Sequence, residues 1–493
     1  MKEPVIPDGV LTLDRSGQIP LAEQIYRGFR AAVRAGLLTS GTRLPSTRRL
    51  AVSLSVARNT VNAAYDLLQA EGIISVRAGA APRVTEDLPP EGSLARLGSP
   101  SNSLSLSRRG RQMSRNVRGE GWAYRQGALQ PGAPALDSFP YEEWGRCLRR
   151  AARMERSADL QYQNYSGVPA LRSELARHLA AERGVRCQPE QILVTSSMQA
   201  GLSLLSLALS EPGDDAWLEE PGYLGARTAF EVAGLNIRPL PVDQLGADAE
   251  RMPTSSKLPK LIYVTPSHQY PLGNRMPLRR RLSLLEVTSS SGAVILEDDY
   301  DSEFLFSGRP VAALYGLADE GQVIYLGTFS KSLMPGLRLA YCVVPSKLVE
   351  PLEQLMRNMG CAASVQVQVA LATFMDSGAY QKHMKHIRKV YEERGMLLVR
   401  TLMERLGNRI EVELPSGNVQ IAALFREPVD DIALAVAMQI HGFAVSPLSN
   451  CYQGENRRSG LIIGFADANA EQISKGVDRL GTLLGDGTFT RDV

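Results

Sequence analysis

The first residues that could do chemistry lie in Thr328-Phe329-Ser330-Lys331-Ser332-Leu333-Met334-Pro335-Gly336-Leu337-Arg338, directly after the apolar run Val323–Leu326. Lysine is seldom buried, because its ammonium is costly to desolvate. One reason to place it after a buried strand is Schiff-base formation with an aldehyde, which needs an amine of lowered pKa in a dry pocket. Thr328 and Ser330 offer hydroxyl donors, and Arg338 offers a charge for a phosphate. Taken alone, the segment reads more simply as an exposed lysine in a polar loop.

Four other segments supply matching chemistry. Glu297-Asp298-Asp299-Tyr300-Asp301-Ser302-Glu303-Phe304 follows another apolar strand, and a buried Asp there can pair with a protonated pyridine nitrogen. A metal fits less well, since no His or Cys lies nearby in sequence, and none is expected. Ser196-Ser197-Met198-Gln199 joins a strand to a helix, where backbone N–H groups can hold a phosphate or simply be capped. Glu220-Pro221-Gly222-Tyr223 puts an aromatic after a tight turn, able to stack on a planar ring or to fill the core. Pro266-Ser267-His268-Gln269-Tyr270-Pro271-Leu272-Gly273 is a polar loop after a further strand.

Positioning these loops takes a large α/β body. Short apolar strands are expected at Ile192–Thr195, Ala216–Glu219, Leu261–Thr265, Val294–Glu297, Val323–Leu326 and Leu339–Val344. Helical patterns separate most of them, which implies a layered domain with a mostly parallel sheet. A long helix, His386–Leu406, and strands near Ile410–Leu414, Val419–Phe425 and Leu461–Phe465 suggest a smaller α+β lobe at the C-terminus. The uncharged stretch Ile192–Ser210 contains Thr195, Ser196, Ser197 and Gln199, so it reads as strand and helix, not as a membrane span. The Met1 segment lacks the apolar core of a signal peptide. Five scattered cysteines without a CxxC favour free thiols and a cytoplasmic location.

Charge separates a second part. The 493 residues carry Lys+Arg 55 against Asp+Glu 52, a net +3. Residues 1–120 hold 17 basic and 10 acidic residues, a net +7, so the remainder carries −4. A basic head on a mildly acidic body suggests that only the head meets a polyanion. In the head, Leu21, Ile25, Phe29 and Val33 lie at helical spacing. Ser46 caps a short helix to Leu54, and a third helix runs from Ala57 to Ala70. Ile73–Arg77 and Arg83–Thr85 flank Ala78-Gly79-Ala80-Ala81-Pro82 as a small hairpin or wing. The third helix begins Ala57-Arg58-Asn59-Thr60, where a recognition helix meets base edges. Arg43, Ser46 and Arg48 can grip phosphates. Residues 86–115 have linker composition, with Pro89, Pro90, Pro100, many serines and Arg108, Arg109, Arg111 and Arg115, flexible and positively charged.

The run RLPSTRRLAVSLSVARNTVNAAYDLLQAEGII resembles the GntR-type winged helix-turn-helix over about residues 15–85. That resemblance implies DNA contacts by Arg43, Ser46, Arg48, Arg58, Asn59 and Thr60, with Gly79 at the wing. The wing reads RAGAAPRVT where the family usually reads RxGSGTFV. In the body, PSHQYPLG, EDDYDSEF and TFSKSLMPGLR resemble the fold-type I aminotransferase pattern. Joined to the head, they resemble the MocR/GabR family of pyridoxal-phosphate-dependent transcriptional regulators over about residues 15–485.

The resemblance implies a winged helix-turn-helix at 1–85, a linker at 86–115 and an aminotransferase class I/II-like domain at 116–493. It implies pyridoxal 5′-phosphate on Lys331, Asp298 at the pyridine nitrogen and Tyr300 near the ring hydroxyl. Tyr223 stacks, and Ser197, Thr328, Ser330 and Arg338 surround the phosphate. Tyr270 stands where aminotransferases carry Asn, and Ser197 where they commonly carry Gly. Arg227, Arg457 and Arg458 are candidates for an effector carboxylate. The implied partners are promoter DNA, an amine or amino-acid effector or the cofactor itself, and a second copy in a head-to-tail homodimer. A working aminotransferase with an appended DNA-binding domain is the alternative.

Overall fold

The computed structural model describes residues 11–76, 81–85, 105–114, 126–153, 164–253, 257–306, 312–454, 457–485 and 489. The chain divides into two compact units, Met1–Leu106 and Ser107–Val493.

The first unit packs helices α1 (Leu21–Arg34), α2 (Thr47–Ser53) and α3 (Arg58–Ala70) beside strands β1 (Ile74–Ser75) and β2 (Arg83–Val84). Ile25, Phe29, Leu50, Val61, Leu68, Ile74 and Val84 are nearly or fully buried in one apolar cluster. Each such side chain contributes about 1.5–3 kcal/mol of burial. The Ser46 side chain accepts from the Arg49 amide at the start of α2, as the sequence suggests. β1 and β2 pair antiparallel, Ile74 opposite Val84. The Thr42 carbonyl accepts from the Val84 amide, so the segment before α2 lines the same small sheet.

The second unit is built on an eight-stranded sheet. Its strands are β3 (Ile192–Thr195), β4 (Asp215–Glu220), β5 (Asn236–Asp243), β6 (Gly246–Ala247), β7 (Leu261–Val264), β8 (Val294–Asp298), β9 (Val323–Thr328) and β10 (Ala340–Val343). They lie in the order β3-β10-β9-β8-β7-β4-β5-β6. β5, β4, β7, β8 and β9 run parallel, while β10 opposes both β9 and β3. Side chains alternate between two cores: Leu218, Tyr263, Leu296 and Ile324 on one face, Trp217, Ile262, Ile295 and Val323 on the other. Burial on both faces explains why these strands read as continuous apolar runs.

A four-stranded sheet follows, with β11 (Ile410–Val412), β12 (Gln420–Phe425), β13 (Ser446–Pro447) and β14 (Gly460–Gly464) in the order β11-β12-β14-β13. The helix Ala379–Leu406 packs beneath it, starting seven residues before the sequence pattern suggests. Two further features differ from expectation. β5 carries Pro239 and Pro241 and a largely solvent-facing pattern, so it resembles a loop in sequence. Within the segment read as a flexible linker, Arg108–Ser114 is helical and packs against the helix Leu224–Ala233. Among the described residues no helix is long and apolar enough to cross a membrane.

Candidate functional site

Parallel strands deliver their following loops to one edge of the sheet, where ligands of open α/β folds bind. The carboxyl ends of β3, β4, β7, β8 and β9 bring together Ser197, Tyr223, Tyr270, Asp298, Tyr300, Thr328, Ser330 and Lys331. Arg338 joins them at the start of β10, because Ala340 sits opposite both Thr195 and Thr328. Arg338 is exposed and holds a left-handed φ of 54°.

Lys331 is half-buried, and its Nζ donates to the Gly132 carbonyl at 2.7 Å. Loss of solvent lowers its pKa to about 8, against the pull of the Asp301 and Asp298 carboxylates. Asp298 closes β8 and is buried; Tyr263 donates to its Oδ2 at 2.6 Å. Its Oδ1 is buried without a hydrogen-bond partner among the described residues. Burial pushes the Asp298 pKa up to about 7.

Its neighbours in sequence have other work. Glu297 accepts from the Leu314 and Tyr315 amides at 2.7 and 2.8 Å, and burial raises its pKa to about 7. Asp299 pairs with Arg183 at 2.7 Å and accepts from the Tyr325 hydroxyl at 2.6 Å. Burial works against the Asp299 carboxylate, but the Arg183 guanidinium outweighs it and holds the pKa below the usual range. Alternation along the strand thus turns one carboxylate toward the lysine and anchors the others in the body.

Aromatic rings surround the same edge. Tyr223 stacks on Tyr263 with centroids 6.2 Å apart and an interplanar angle of 25°. Tyr270 lies edge-on to both Tyr223 and Tyr300, at 5.3 and 6.2 Å. The Tyr300 hydroxyl donates to the His268 carbonyl at 3.2 Å. At the other end, Ser197 caps the helix Met198–Leu209 by accepting from the Ala200 amide at 3.1 Å. Thr328 accepts from the Ser330 amide at 3.2 Å, and their hydroxyls lie 3.0 Å apart.

In the head, Arg43, Ser46, Arg48, Arg58 and Asn59 are exposed and Thr60 is half-buried. Arg58 Nε donates to Thr47 Oγ1 at 3.4 Å, tying the start of α3 to the start of α2. Gly79 lies outside the described residues.

Residues 21–84 match the family of bacterial regulatory proteins, gntR family, and residues 133–480 match aminotransferase class I and II. The chain is 38% identical over 476 residues to the probable rhizopine catabolism regulatory protein MocR of Rhizobium meliloti, covering 96% of this chain and 95% of that one. The chain belongs to the MocR-type transcriptional regulators. This MocR-type chain is also 32% identical to the uncharacterized HTH-type transcriptional regulator YhdI of Bacillus subtilis, over 95% of its own length and 97% of the relative's. Its body resembles the solved structure of LysN, an alpha-aminoadipate aminotransferase from Thermus thermophilus complexed with N-(5'-phosphopyridoxyl)-L-leucine. The TM-score is 0.71 at 26% identity, over 78% of this chain and 99% of that one.

The three candidate effector arginines of this MocR-type chain are dispersed. Arg227 pairs with Glu231 at 3.0 Å on its own helix. Arg457 donates to the Gly454 carbonyl at 2.9 Å. Arg458 pairs with Glu411 at 2.8 Å and lines a cleft of about 1020 Å³ that Arg251, Arg275, Glu413, Asn418 and Tyr452 also line. Sequence reasoning missed Gly132, whose carbonyl meets Lys331 from 199 positions away. It left His268 unassigned; His268 Nδ1 lies 2.8 Å from Asp301 Oδ1, with both side chains buried. The PSHQY and DDYD segments carried that signal, but only their spatial meeting reveals the pair. Among the described residues no group of three or more His, Cys, Asp or Glu is placed to hold a metal ion.

Proposed function

We propose that this regulator holds pyridoxal 5′-phosphate at Lys331 and reads promoter DNA with its head. An amine or amino-acid effector, or the cofactor itself, changes its grip on the DNA. The observation that carries this reading is the half-buried Lys331, its pKa lowered to about 8, on the same edge as a buried Asp298 oxygen without a partner among the described residues. That oxygen suits a protonated pyridine nitrogen, because a buried acceptor left unmatched costs about 1–3 kcal/mol. The residues therefore fit the cofactor. When bound, the cofactor supplies an aldehyde that takes up amines and a ring that withdraws electrons.

In this reading Lys331 provides the amine, largely unprotonated above pH 8. Asp298 stays ionised against the ring nitrogen, Tyr223 covers a ring face, and Tyr300 and Tyr270 face the ring hydroxyl. Ser197, Thr328, Ser330 and Arg338 hold the phosphate, with the amides at the start of the helix Met198–Leu209 adding positive potential. Arg458 in the cleft, Arg227 or Arg457 receives an effector carboxylate. Arg58 and Asn59 meet base edges, while Arg43, Ser46, Arg48 and Thr60 fix the head on phosphates, with Gly79 at the wing. The regulator works in the cytoplasm as a head-to-tail homodimer that presents two heads to paired half-sites.

The test is spectral. Added pyridoxal phosphate turns the full-length protein yellow, and Lys331→Ala does not colour. A wild-type protein that stays colourless sinks the cofactor assignment.

A further inference from the structure

The sheet edge accounts for the cofactor but not for how its state leaves the body. The Lys331 amine has one hydrogen-bond acceptor among the described residues, the Gly132 carbonyl. Gly132 belongs to the strap formed by residues 126–135. This strap and the helix Arg108–Ser114 are the first described segments of the body after the head in chain order.

The strap is stitched down on both sides of Gly132. Ala128 donates to the Gly442 carbonyl at 3.0 Å and accepts from the Ala444 amide at 2.8 Å. Leu129 accepts from the Gly464 amide at 3.0 Å, and its side chain is buried in the main core. Ala135 donates to the Tyr391 hydroxyl at 3.2 Å, and that hydroxyl donates to the Lys331 carbonyl at 3.0 Å. Tyr391 therefore joins the strap to the backbone of the lysine, and Gly132 joins it to the amine. Gly132 holds a φ of 74°, and a side-chain carbon there would collide with Lys331 Nζ. Only glycine lets the carbonyl come this close without strain.

We propose that residues 126–135 sense the chemical state of the Lys331 amine and pass it toward the head. The inference rests on the reading of Lys331 as the holder of the cofactor. A free lysine donates to the Gly132 carbonyl and seats the strap. The charged lysine first gives its extra proton to solvent; condensation with an aldehyde then sends the two remaining amine hydrogens away with the departing water, so the carbonyl loses its donor. A hydrogen bond from a charged donor is worth enough to change a local opening equilibrium by about tenfold. An effector amine that takes over the aldehyde returns the lysine to Gly132 and reseats the strap. Tyr391 is a positioning residue, holding the strap in register with the lysine in either state.

Hydrogen–deuterium exchange on the full chain tests this, comparing protein loaded with pyridoxal phosphate and protein stripped of it, with visible absorbance confirming each state. Exchange at the Ala128 and Ala135 amides is expected to be about tenfold slower in the stripped protein. In Lys331→Ala, which does not colour, exchange is fast both with and without added pyridoxal phosphate. Tyr391→Phe still takes up the cofactor and colours, but loses the difference at Ala135; Gly132→Ala loses it at both amides. Equal exchange in the loaded and stripped wild-type protein overturns the strap's role while leaving the cofactor reading intact. A difference that persists in Lys331→Ala overturns it too. Failure to colour at all removes both readings together.

Discussion

Arg58 in the head and Arg183 in the body carry the same guanidinium in opposite settings. Arg58 is exposed at the start of α3, where its Nε donates to Thr47 Oγ1 at 3.4 Å. Arg183 is buried, paired with Asp299 at 2.7 Å and donating to Ser267 at 2.8 Å. The head offers its positive charge outward from an apolar core, which suits a polyanion whose phosphates complete the pairing. Behind one reactive amine the body buries Asp298, Asp299 and Arg183 and half-buries the lysine itself. The same residue type is thus solvent-facing in one unit and an internal fastening in the other.

The contrast can be broken by substitution, and the largest effect belongs to the body. Arg183→Met leaves the Asp299 carboxylate buried without its partner, so it should destabilise the body by about 3–5 kcal/mol. Calorimetry that finds the body's transition unmoved would remove the internal-fastening half of the comparison. If Asp298 faces the ring nitrogen as proposed, Asp298→Asn removes its charge, and cofactor affinity should fall by about 1.5–3 kcal/mol with the fold intact, read by spectral titration. Arg58→Ala should weaken promoter binding by about 1–3 kcal/mol, leave the yellow colour unchanged, and move stability by less than about 0.5 kcal/mol. Unchanged binding at physiological salt would show that the exposed arginine faces no DNA.

The smallest effect is in pH. Burial lowers the Lys331 pKa from 10.5 to about 8, so the reactive amine fraction rises through pH 8. Uptake of pyridoxal phosphate by stripped protein should accelerate from pH 7 to 9 with a midpoint near 8. A midpoint near the ordinary lysine value would mean that the amine is solvated like a head residue.

Much of this was legible in sequence, for identifiable reasons. The three head helices follow from apolar spacing and the Ser46 cap, and β3, β7, β8, β9 and β10 from short buried runs. That the lysine, Asp298 and the tyrosines gather at one edge was legible because each closes a strand or lies in the loop after one, and parallel strands send such residues to one edge. β5 was hidden because Pro239, Pro241 and the solvent-facing Arg238 give this next-to-last strand the composition of a loop. The helix Arg108–Ser114 is short, contains Gly110 and lies among linker-like residues. Gly132 and the His268–Asp301 pair depend on contacts between distant segments, which no local pattern encodes.

The central claim is that chemistry at Lys331 governs the head's hold on DNA. Its most direct test titrates one full-length sample, bearing pyridoxal phosphate and labelled promoter DNA, with candidate amines and amino acids. Visible absorbance and fluorescence anisotropy are recorded together. The account predicts that, for the effector, both signals change over the same concentration range and that Lys331→Ala shows neither change. DNA affinity that stays constant while the absorbance shifts completely, or that responds equally in Lys331→Ala, would contradict it.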